Sequence, residues 1–231
     1  MQLFYSSSFT EKEIILDADE SRHATQVLRK KVGDEISVMD GKGGLYTARI
    51  REIKKKETHL DIVESKHFSN TTHPIYLAVA PTKNMDRIEW LLEKSIEIGL
   101  SGIQFIRCDR SERKQVNMER LQKIALSACK QSLSWYLPEI SDMIPLKDFV
   151  ATNVEATRLI GVCEGAELNL TPGFSYSGPV HILIGPEGDF TPEEYALAKS
   201  AGWKGISFGE KRLRTETAAL LAVASLNFLK P

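Results

Sequence analysis

Hydrophobic and polar side chains alternate along much of the first seventy residues, with the period of half-buried β-strands. The alternation predicts three strands, Glu35–Met39, Tyr46–Ile50 and His59–Val63. Residues 40–44 (Asp-Gly-Lys-Gly-Gly) separate the first two and are rich in types that accept a positive φ, which indicates a hairpin turn. A short helix over Asp19–Lys31, closed by Gly33, precedes these strands. The pattern therefore predicts a small β domain over residues 1–70.

From Ile75 onward the pattern changes to buried strands separated by amphipathic helices. Strands are predicted at Ile75–Val79, Ile103–Ile106, Arg158–Cys163, His181–Ile184 and Gly205–Phe208. Helices are predicted after the capping residues Asn84, Asn117 and Thr191, and over Thr215–Leu229. This alternation is typical of a mostly parallel sheet. It predicts an α/β domain over residues 74–231, joined to the first by the polar linker Lys66–His73.

The helix after Thr191 has the most complete start signal in the chain. Thr191 and Glu194 form a Thr-x-x-Glu capping box, and Pro192 stands at the first helical position. Gly202 is the expected end of this helix.

The last helix, Thr215–Leu229, is apolar almost all round. A helix of that kind has to be covered on every side. A single chain of this size offers little to cover it, so we expect part of the helix to be buried in a homodimer interface.

Composition narrows the class of protein. The chain has 231 residues, 42% of them hydrophobic and 26% charged, with a net charge of −1. These values are ordinary for a soluble globular protein, and any nucleic-acid site must be a local patch. The three cysteines form no Cys-x-x-Cys pair, so we expect neither a disulfide framework nor a metal site. No signal core or membrane-length apolar run is present, so we expect a cytoplasmic protein without a membrane partner.

Two basic patches stand out against this neutral background. Residues 107–130 carry seven Lys and Arg against three acidic residues, and residues 204–214 carry four against one. Patches of this density could contact several phosphates. Each alone is equally compatible with a solvated helix face. Their presence in one domain favours RNA as a partner.

Two glycine turns follow strands near the end of the chain, one over residues 185–188 and one at Phe208-Gly209. A strand, a glycine turn and a helix is how phosphate cradles are built. Here four carboxylates crowd the helix start, those of Glu187, Asp189, Glu193 and Glu194. They would repel a phosphate, and no nucleotide-loop motif is present, which disfavours an ATP- or GTP-using enzyme. We expect a ligand that is neutral or cationic at this point.

The stretches Ile184–Phe190 (IGPEGDF) and Phe208–Ala218 (FGEKRLRTETA) together resemble the SPOUT class of S-adenosylmethionine-dependent RNA methyltransferases. They are most similar to its RsmE branch, which methylates N3 of a uridine in 16S ribosomal RNA of the small ribosomal subunit. The resemblance implies an N-terminal PUA-like β-barrel that grips RNA. It also implies a C-terminal SPOUT α/β domain with a deep C-terminal trefoil knot, and a homodimer formed through that domain.

The resemblance further implies that three turns wrap an S-adenosylmethionine cofactor, largely through backbone groups and apolar contact. The implied cofactor-binding residues are Cys163, Glu164, Gly165, Ile184, Gly185, Pro186, Glu187, Gly188, Phe208, Gly209, Leu213, Thr217 and Ala218.

Two residues at the start of the last helix are candidates for catalysis. Arg214 could stabilise the anion of the uracil base, because a fixed cation near its oxygens favours the ionised form. A phosphate contact is an equal alternative for this residue. Glu216 could orient Arg214, act as the base, or be a first-turn acid favoured by the helix dipole.

The expected RNA-binding residues come from family-like positions and from the basic clusters. They are His23, Arg29, Lys30, Lys83, Arg87, Arg110, Arg113 and Arg120. Three positions depart from the family pattern: Ser134 replaces an arginine, Asp189 a glycine and Arg212 an aliphatic residue. We expect altered loop detail at the last two positions.

Two alternatives to methylation of a 16S uridine stay open. The chain could be a SPOUT methyltransferase that acts on another ribosomal RNA or transfer RNA nucleotide. It could instead be a non-catalytic RNA-binding or ribosome assembly protein, although the two intact glycine turns argue against a retired site.

Overall fold

The computed structural model describes residues 2–70, 74–152, 155–170 and 174–229. They form two compact units, one of residues 2–70 with Cys129–Leu137, the other of residues 74–128 and 138–229. The predicted linker Lys66–His73 begins too early, since Lys66 and His67 belong to the last strand of the first unit. The end of that linker, Thr71–His73, lies outside the described residues.

The first unit is built on a six-stranded sheet in the order β1-β4-β5-β6-β3-β2. Its strands are β1 (Leu3–Tyr5), β2 (Ser8–Phe9), β3 (Glu13–Leu16), β4 (Glu35–Met39), β5 (Gly44–Ile53) and β6 (Thr58–His67). Neighbours are antiparallel except β1 and β4, which are parallel. The three strands predicted from alternation are confirmed. The strands β1 to β3 were missed, because two to four residues are too few to display a period.

Side chains from both ends of this sheet meet in one core. Phe4 of β1 packs in the same buried cluster as Ile14 and Leu16 of β3, together with Val38 and Leu60 from the central strands. These side chains form the hydrophobic core of the first unit.

The predicted helix Asp19–Lys31 is wrong in its second half. Helix α1 (Ala18–Arg22) is capped by Asp17 and runs into a π-helical turn, His23–Val27, in which Leu28 N donates to His23 O (3.0 Å). Arg29 then adopts a left-handed conformation (φ 55°) and ends the helix. Gly33, expected to close the helix, lies in the following turn.

The second unit contains a parallel sheet of seven strands in the order β11-β13-β10-β12-β7-β8-β9. The strands are β7 (Ile75–Val79), β8 (Gly102–Arg107), β9 (Glu139–Pro145), β10 (Thr157–Gly161), β11 (Leu168–Asn169), β12 (Val180–Ile184) and β13 (Lys204–Ser207). The predicted parallel α/β sheet is confirmed. Strands β9 and β11, both at the edges, were missed, and the predicted ends at Cys163 and Phe208 were too late.

The helices of this unit begin and end largely where local signals indicate. They are α2 (Met85–Ile98), α3 (Met118–Ser132), α4 (Leu146–Val150), α5 (Pro192–Ser200) and α6 (Thr215–Phe228), of which α4 was not predicted. The last residues of α3, from Cys129, belong to the first unit. Asn84 Oδ1 accepts from Asp86 N (3.0 Å), and both hydrogen bonds of the Thr191–Glu194 capping box are present. Helix α2 ends at Gly99 (φ 104°), where Leu100 N donates to Ser95 O (2.9 Å).

The last helix, α6, packs against α2, β7 and β12. Its inner face is fully buried at Ala219, Ala222, Val223 and Leu226, but Leu221 is 40% and Phe228 81% exposed. One side of this apolar helix is therefore open within the chain.

Candidate active site

The three turns expected to hold a ligand follow neighbouring strands. Strands β13, β10 and β12 are adjacent and parallel, so their carboxyl ends lie at one edge of the sheet. Residues 162–166, 185–190 and 208–214 leave the strands at that edge. Ligands in open parallel sheets bind outside the carboxyl ends of the strands. The structure therefore brings the predicted cofactor-binding turns together.

Gly161, which the sequence interpretation did not include, marks the point where the three strands' ends converge. A Cβ added to it would lie 2.8 Å from both Ile184 Cδ1 and Phe208 Cε2. The Phe208 ring thus lies against the glycine backbone, beside the end of β12. A glycine at the end of a buried strand was the available signal, since it often marks close approach of another group.

The turn after β12 is tied to the start of α6. Thr215 Oγ1 donates to Gly185 O (3.2 Å) in a buried hydrogen bond. Gly185 and Pro186 are buried, whereas Glu187 and Gly188 are exposed. Thr217 and Ala218, also predicted to contact the cofactor, lie in the first turn of α6, the former exposed and the latter half-buried.

Asp189 adopts a left-handed conformation (φ 62°) in this turn, where a glycine would be strain-free. Its side chain accepts a hydrogen bond from Phe190 N (2.8 Å), which helps to hold the conformation. In the neighbouring turn, desolvation and the Asp189 carboxylate raise the pKa of Cys163, whereas Arg212 opposes the rise. Asp189 and Arg212, the two departures from the family pattern in these turns, thus shift the pKa of the Cys163 thiol in opposite directions.

The loop after β8 is locked to the same turn. Arg110 Nη1 donates to Gly188 O (2.7 Å), and its aliphatic stem packs over Gly188. Glu194 Oε1 accepts from Asp109 N (2.8 Å), while its other oxygen completes the capping box. Arg110, expected to contact RNA, is thus bonded to the turn that is predicted to bind the cofactor.

The four carboxylates at the start of α5 do not all face solvent. Glu194 is buried and bonded to two backbone N–H groups, and Asp189 caps Phe190. Glu187 and Glu193 stay exposed, and Glu187 Oε1 lies 3.7 Å from Arg87 Nη1. The expectation of a neutral or cationic ligand therefore rests on Glu187 and Glu193, and Arg87 partly neutralises the first of them.

Glu216 is the most unusual charged group at this edge. Its residue is only 8% exposed, and Oε1 lies 3.8 Å from Arg87 Nη1. Oε2 is buried and has no hydrogen-bond partner among the described residues. A buried acceptor left unsatisfied costs about 1–3 kcal/mol, so this oxygen is available to a donor on a ligand.

Arg214 lies two residues before Glu216 in sequence but in different surroundings. It is the exposed N-cap residue of α6, and its carbonyl accepts from Ala218 N (2.8 Å). No residue in the described part of the chain forms a salt bridge with Arg214. The partner of Glu216 in the structure is Arg87, which was expected to contact RNA.

The other cations expected to bind RNA in this unit also have protein partners. Lys83 Nζ lies 3.3 Å from Glu112 Oε2, and Arg120 Nη2 donates to Glu89 Oε2 (2.7 Å). Arg113 donates twice to Lys83 O (2.8 and 3.1 Å). Arg113 and Arg120 line a surface cavity of about 380 Å³ between the starts of α2 and α3.

In the first unit, His23 and Arg29 are exposed and Lys30 is half-buried. The His23 ring lies 5.6 Å from that of Phe4. Across the described residues of the chain, no group of three His, Cys, Asp or Glu side chains could hold a metal ion. Nor does this described part contain a helix long and apolar enough to cross a membrane.

Both units match known protein families. A profile of the RNA methyltransferase PUA domain matches residues 16–63, and one of the RNA methyltransferase domain matches residues 69–227. The ribosomal RNA small subunit methyltransferase E of Rickettsia conorii is 30% identical over 99% of this chain and 95% of its own length.

Two solved structures are similar over nearly the whole chain. A "probable rRNA-methyltransferase" from Porphyromonas gingivalis is 37% identical, with a TM-score of 0.89 over 99% of this chain and 98% of its own. The ribosomal RNA small subunit methyltransferase E from Neisseria gonorrhoeae, solved with bound S-adenosylmethionine, is 29% identical. Its TM-score is 0.85 over 100% of this chain and 98% of its own.

Proposed function

Because the chain belongs to the family of ribosomal RNA small subunit methyltransferases E, we propose that it transfers a methyl group from S-adenosylmethionine to N3 of a specific uridine in 16S ribosomal RNA. The observation that carries the proposal is the convergence of three turns at the carboxyl edge of the parallel sheet, where α6 begins. That helix carries Glu216, whose buried Oε2 has no hydrogen-bond partner among the described residues. A substrate in the small ribosomal subunit implies that the enzyme acts in the cytoplasm.

S-adenosylmethionine is the cofactor, and when bound it supplies an electrophilic methyl group on a sulfonium sulfur. The backbone of residues 185–188 and the apolar side chains of Ile184, Phe208 and Leu213 would hold its adenosine and methionine parts. The exposed carboxylate of Glu187 suits a cationic ligand. The remaining members of the proposed cofactor site are Cys163, Glu164, Gly165, Gly209, Thr217 and Ala218.

The acceptor nitrogen sets two further requirements. N3 of uridine carries a proton and lies on the pairing edge, so the base must be unpaired or flipped out before it reacts. The Oε2 atom of Glu216 is the acceptor that this proton needs. The Arg214 guanidinium, exposed at the start of the same helix, is the cation that stabilises the uracil anion.

RNA binding draws on both units. In the first unit His23, Arg29 and Lys30 are the proposed contacts. In the second unit Lys83, Arg87, Arg110, Arg113 and Arg120 contact phosphates with those N–H groups that their protein partners leave available. An arginine has five N–H donors, so holding a carbonyl and binding a phosphate are compatible.

The chain path at the carboxyl edge supports a deep trefoil knot. Strand β13 lies beside β10, whereas α6, a short loop later, packs against α2, β7 and β12. The chain from β13 to α6 must pass the start of the connection from β10 to β12. In our proposal it threads through that connection, and the turns that hold the cofactor are parts of the knot.

The open side of α6 supports a homodimer. Leu221 and Phe228 on α6 and Trp90 on the adjoining α2 are exposed apolar side chains of the same unit. Contact with a second copy would cover them, and the methyltransferase domain would form the interface.

The experiment is methyl transfer from labelled S-adenosylmethionine to small ribosomal subunits that lack the modification, followed by nucleoside mass spectrometry. We expect 3-methyluridine from the wild type. Arg214→Ala should lower the rate about 100-fold while cofactor binding is unchanged, because the lost interaction belongs to the acceptor. Cofactor binding without transfer to the subunit would mean another RNA nucleotide as substrate. Absence of both cofactor binding and methyl transfer would indicate a non-catalytic RNA-binding protein.

A further inference from the structure

The glycine-rich hairpin at residues 40–44 receives a distant segment of the chain. This segment, Cys129–Leu137, belongs to the first unit and is called the strap here. Gly43 N donates to Trp135 O (3.0 Å), and Leu137 N donates to Gly41 O (3.0 Å). The hairpin and the strap are thus joined by backbone hydrogen bonds on both sides of Tyr136.

The glycines of the hairpin allow this close approach. A Cβ on Gly43 would lie 2.5 Å from Tyr136 Oη and 2.6 Å from Phe68 O. At Gly41 a Cβ would lie 2.7 Å from Leu137 Cδ1, and the φ of +71° is itself unfavourable for other residues. The glycines of the hairpin therefore allow the strap to pack closely against its backbone.

The same contacts fix two aromatic residues. Phe68 N donates to Gly43 O (2.9 Å), and Tyr136 Oη donates to Phe68 O (2.8 Å). The rings of Phe68 and Trp135 stack with centroids 4.9 Å apart and planes inclined by 17°. Phe68 remains 36% exposed and Trp135 is only partly buried. We call this fixed, solvent-accessible pair the aromatic ledge.

Lys42 adds a positive charge to the hairpin that holds the ledge. Lys42, at the tip of the hairpin, is exposed and forms no salt bridge with any residue that the structure describes. The nearest carboxylate in sequence, Asp40, accepts from Lys42 N (2.7 Å) and Gly44 N (2.8 Å), so it is engaged with the backbone. A lysine on the hairpin that holds an aromatic surface suits a ligand with both a phosphate and a flat ring.

From this geometry we propose that the aromatic ledge stacks one unpaired base of the substrate RNA, with Lys42 at an adjoining phosphate. Aromatic side chains fixed on a protein surface bind unstacked bases without regard to sequence. The inference rests on the proposed function, since it assigns a contact to the RNA substrate of that enzyme. It also gives the RNA-binding PUA unit a residue outside its own stretch of sequence, Trp135.

The test uses the full chain with Trp90→Phe and Trp203→Phe, which leaves Trp135 as the fluorescent residue. A short single-stranded oligouridylate is the probe, and a duplex RNA of equal length is the control ligand. We expect the single strand to quench Trp135 and the duplex to leave it unchanged. In the otherwise wild-type chain, Trp135→Ala should weaken single-strand binding roughly tenfold, and Trp135→Phe should largely preserve it.

Lys42→Gln is the second variant, chosen because an exposed hairpin tip tolerates the change. It should weaken binding and flatten its salt dependence, whereas the exposed Lys55→Gln should do neither. Unquenched Trp135 together with unaltered affinity in Trp135→Ala and Lys42→Gln would overturn the proposal. Methyl transfer to small subunits by the same wild-type preparation separates that result from failure of the proposed function.

Discussion

At the scale of single residues, Glu216 stands out because folding alone does not account for it. A carboxylate that is 8% exposed, with one oxygen lacking a hydrogen bond among the described residues, is a cost to the folded state. Its only described charged partner, Arg87, lies 3.8 Å away. A cost of this kind at a ligand-binding edge is typical of a group kept for chemistry.

Replacing Glu216 with glutamine preserves its shape and removes its charge. If Glu216 takes the N3 proton, Glu216→Gln should lower the single-turnover methyl-transfer rate by roughly 10²–10⁴-fold, the range for general bases. Because Arg87 keeps Glu187 as a carboxylate partner (3.7 Å), the thermal midpoint should change little. Glu193→Gln, which changes an exposed acid in the first turn of another helix of the same unit, is the control. Full activity in Glu216→Gln would leave Glu216 a purely structural first-turn acid.

His59 offers a test of pH dependence in the first unit. Its Nε2 lies 2.9 Å from Glu57 Oε1 and its Nδ1 2.7 Å from Glu13 Oε1, and both carboxylates raise the pKa of His59 above 6.5. Lys54, 2.9 Å from Nε2, opposes the rise. The protonated ring therefore stabilises the fold fully below pH 6.5, and the effect is lost as pH rises through the folded pKa.

We accordingly expect His59→Gln to lower the thermal midpoint more at pH 5.5 than at pH 8.5. Thermal unfolding of both proteins over that range measures the difference. A gap between the two midpoints that does not change with pH would contradict the assigned ion pairs. His67→Gln, at an exposed position of the same unit, should leave the pH profile unchanged.

At the scale of elements, the capping box of α5 does more than start a helix. Glu194 closes the box with one oxygen and accepts from Asp109 N of the loop after β8 with the other. That loop carries Arg110, which in turn holds Gly188 O. The start of α5, the loop after β8 and the turn proposed to bind the cofactor are thus joined by hydrogen bonds.

Glu194→Gln should therefore destabilise the protein by about 1–3 kcal/mol, since a buried carboxylate that accepts two backbone bonds is replaced by a group with one acceptor oxygen. The midpoint of urea unfolding measures this effect. Cofactor affinity, from calorimetry, should fall as well, because the turn at Gly188 loses support. Thr191→Ala is expected to cost about 1 kcal/mol, as for an ordinary N-cap. Equal effects of the two substitutions would argue against the link through Asp109.

At the scale of the whole molecule, a single chain leaves one side of the apolar helix α6 exposed to solvent. Phe228 is 81% exposed on a helix that is otherwise almost entirely apolar. Burying such a side chain contributes about 1.5–3 kcal/mol, enough to favour association strongly when several residues share the interface. This agrees with the proposed homodimer.

Phe228→Asp should shift the protein from dimer to monomer in sedimentation velocity and reduce methyl transfer. Leu197→Asp is the matched control, because Leu197 is 42% exposed but lies on α5, outside the proposed interface. That variant should keep the wild-type mass. A monomeric wild type, or a Phe228→Asp protein that remains a dimer, would remove the basis of the proposed interface.

Much of the fold was predictable because its signals are local. The capping box at Thr191, the glycine stop at Gly99 and the hairpin at residues 40–44 each involve groups within a few positions of one another. Where the local signal was short, prediction failed: β1 to β3 are two to four residues long. The end of α1 was misjudged because a π-helical turn and a left-handed Arg29 replaced the expected glycine stop.

The sequence also predicts a chemical character for the site. Glycine turns after buried strands, and carboxylates that would disfavour a phosphate, are expected from residue types and spacing alone. Their convergence does not, because strand order is settled by packing between segments distant in sequence. Only the fold places β10 between β12 and β13, pairs Glu216 with Arg87 and seats the strap on the glycine hairpin. Capping hydrogen bonds and hydrophobic periodicity depend on residues that are close in sequence. The contacts named above join residues that are distant in sequence, so they form only when the chain folds.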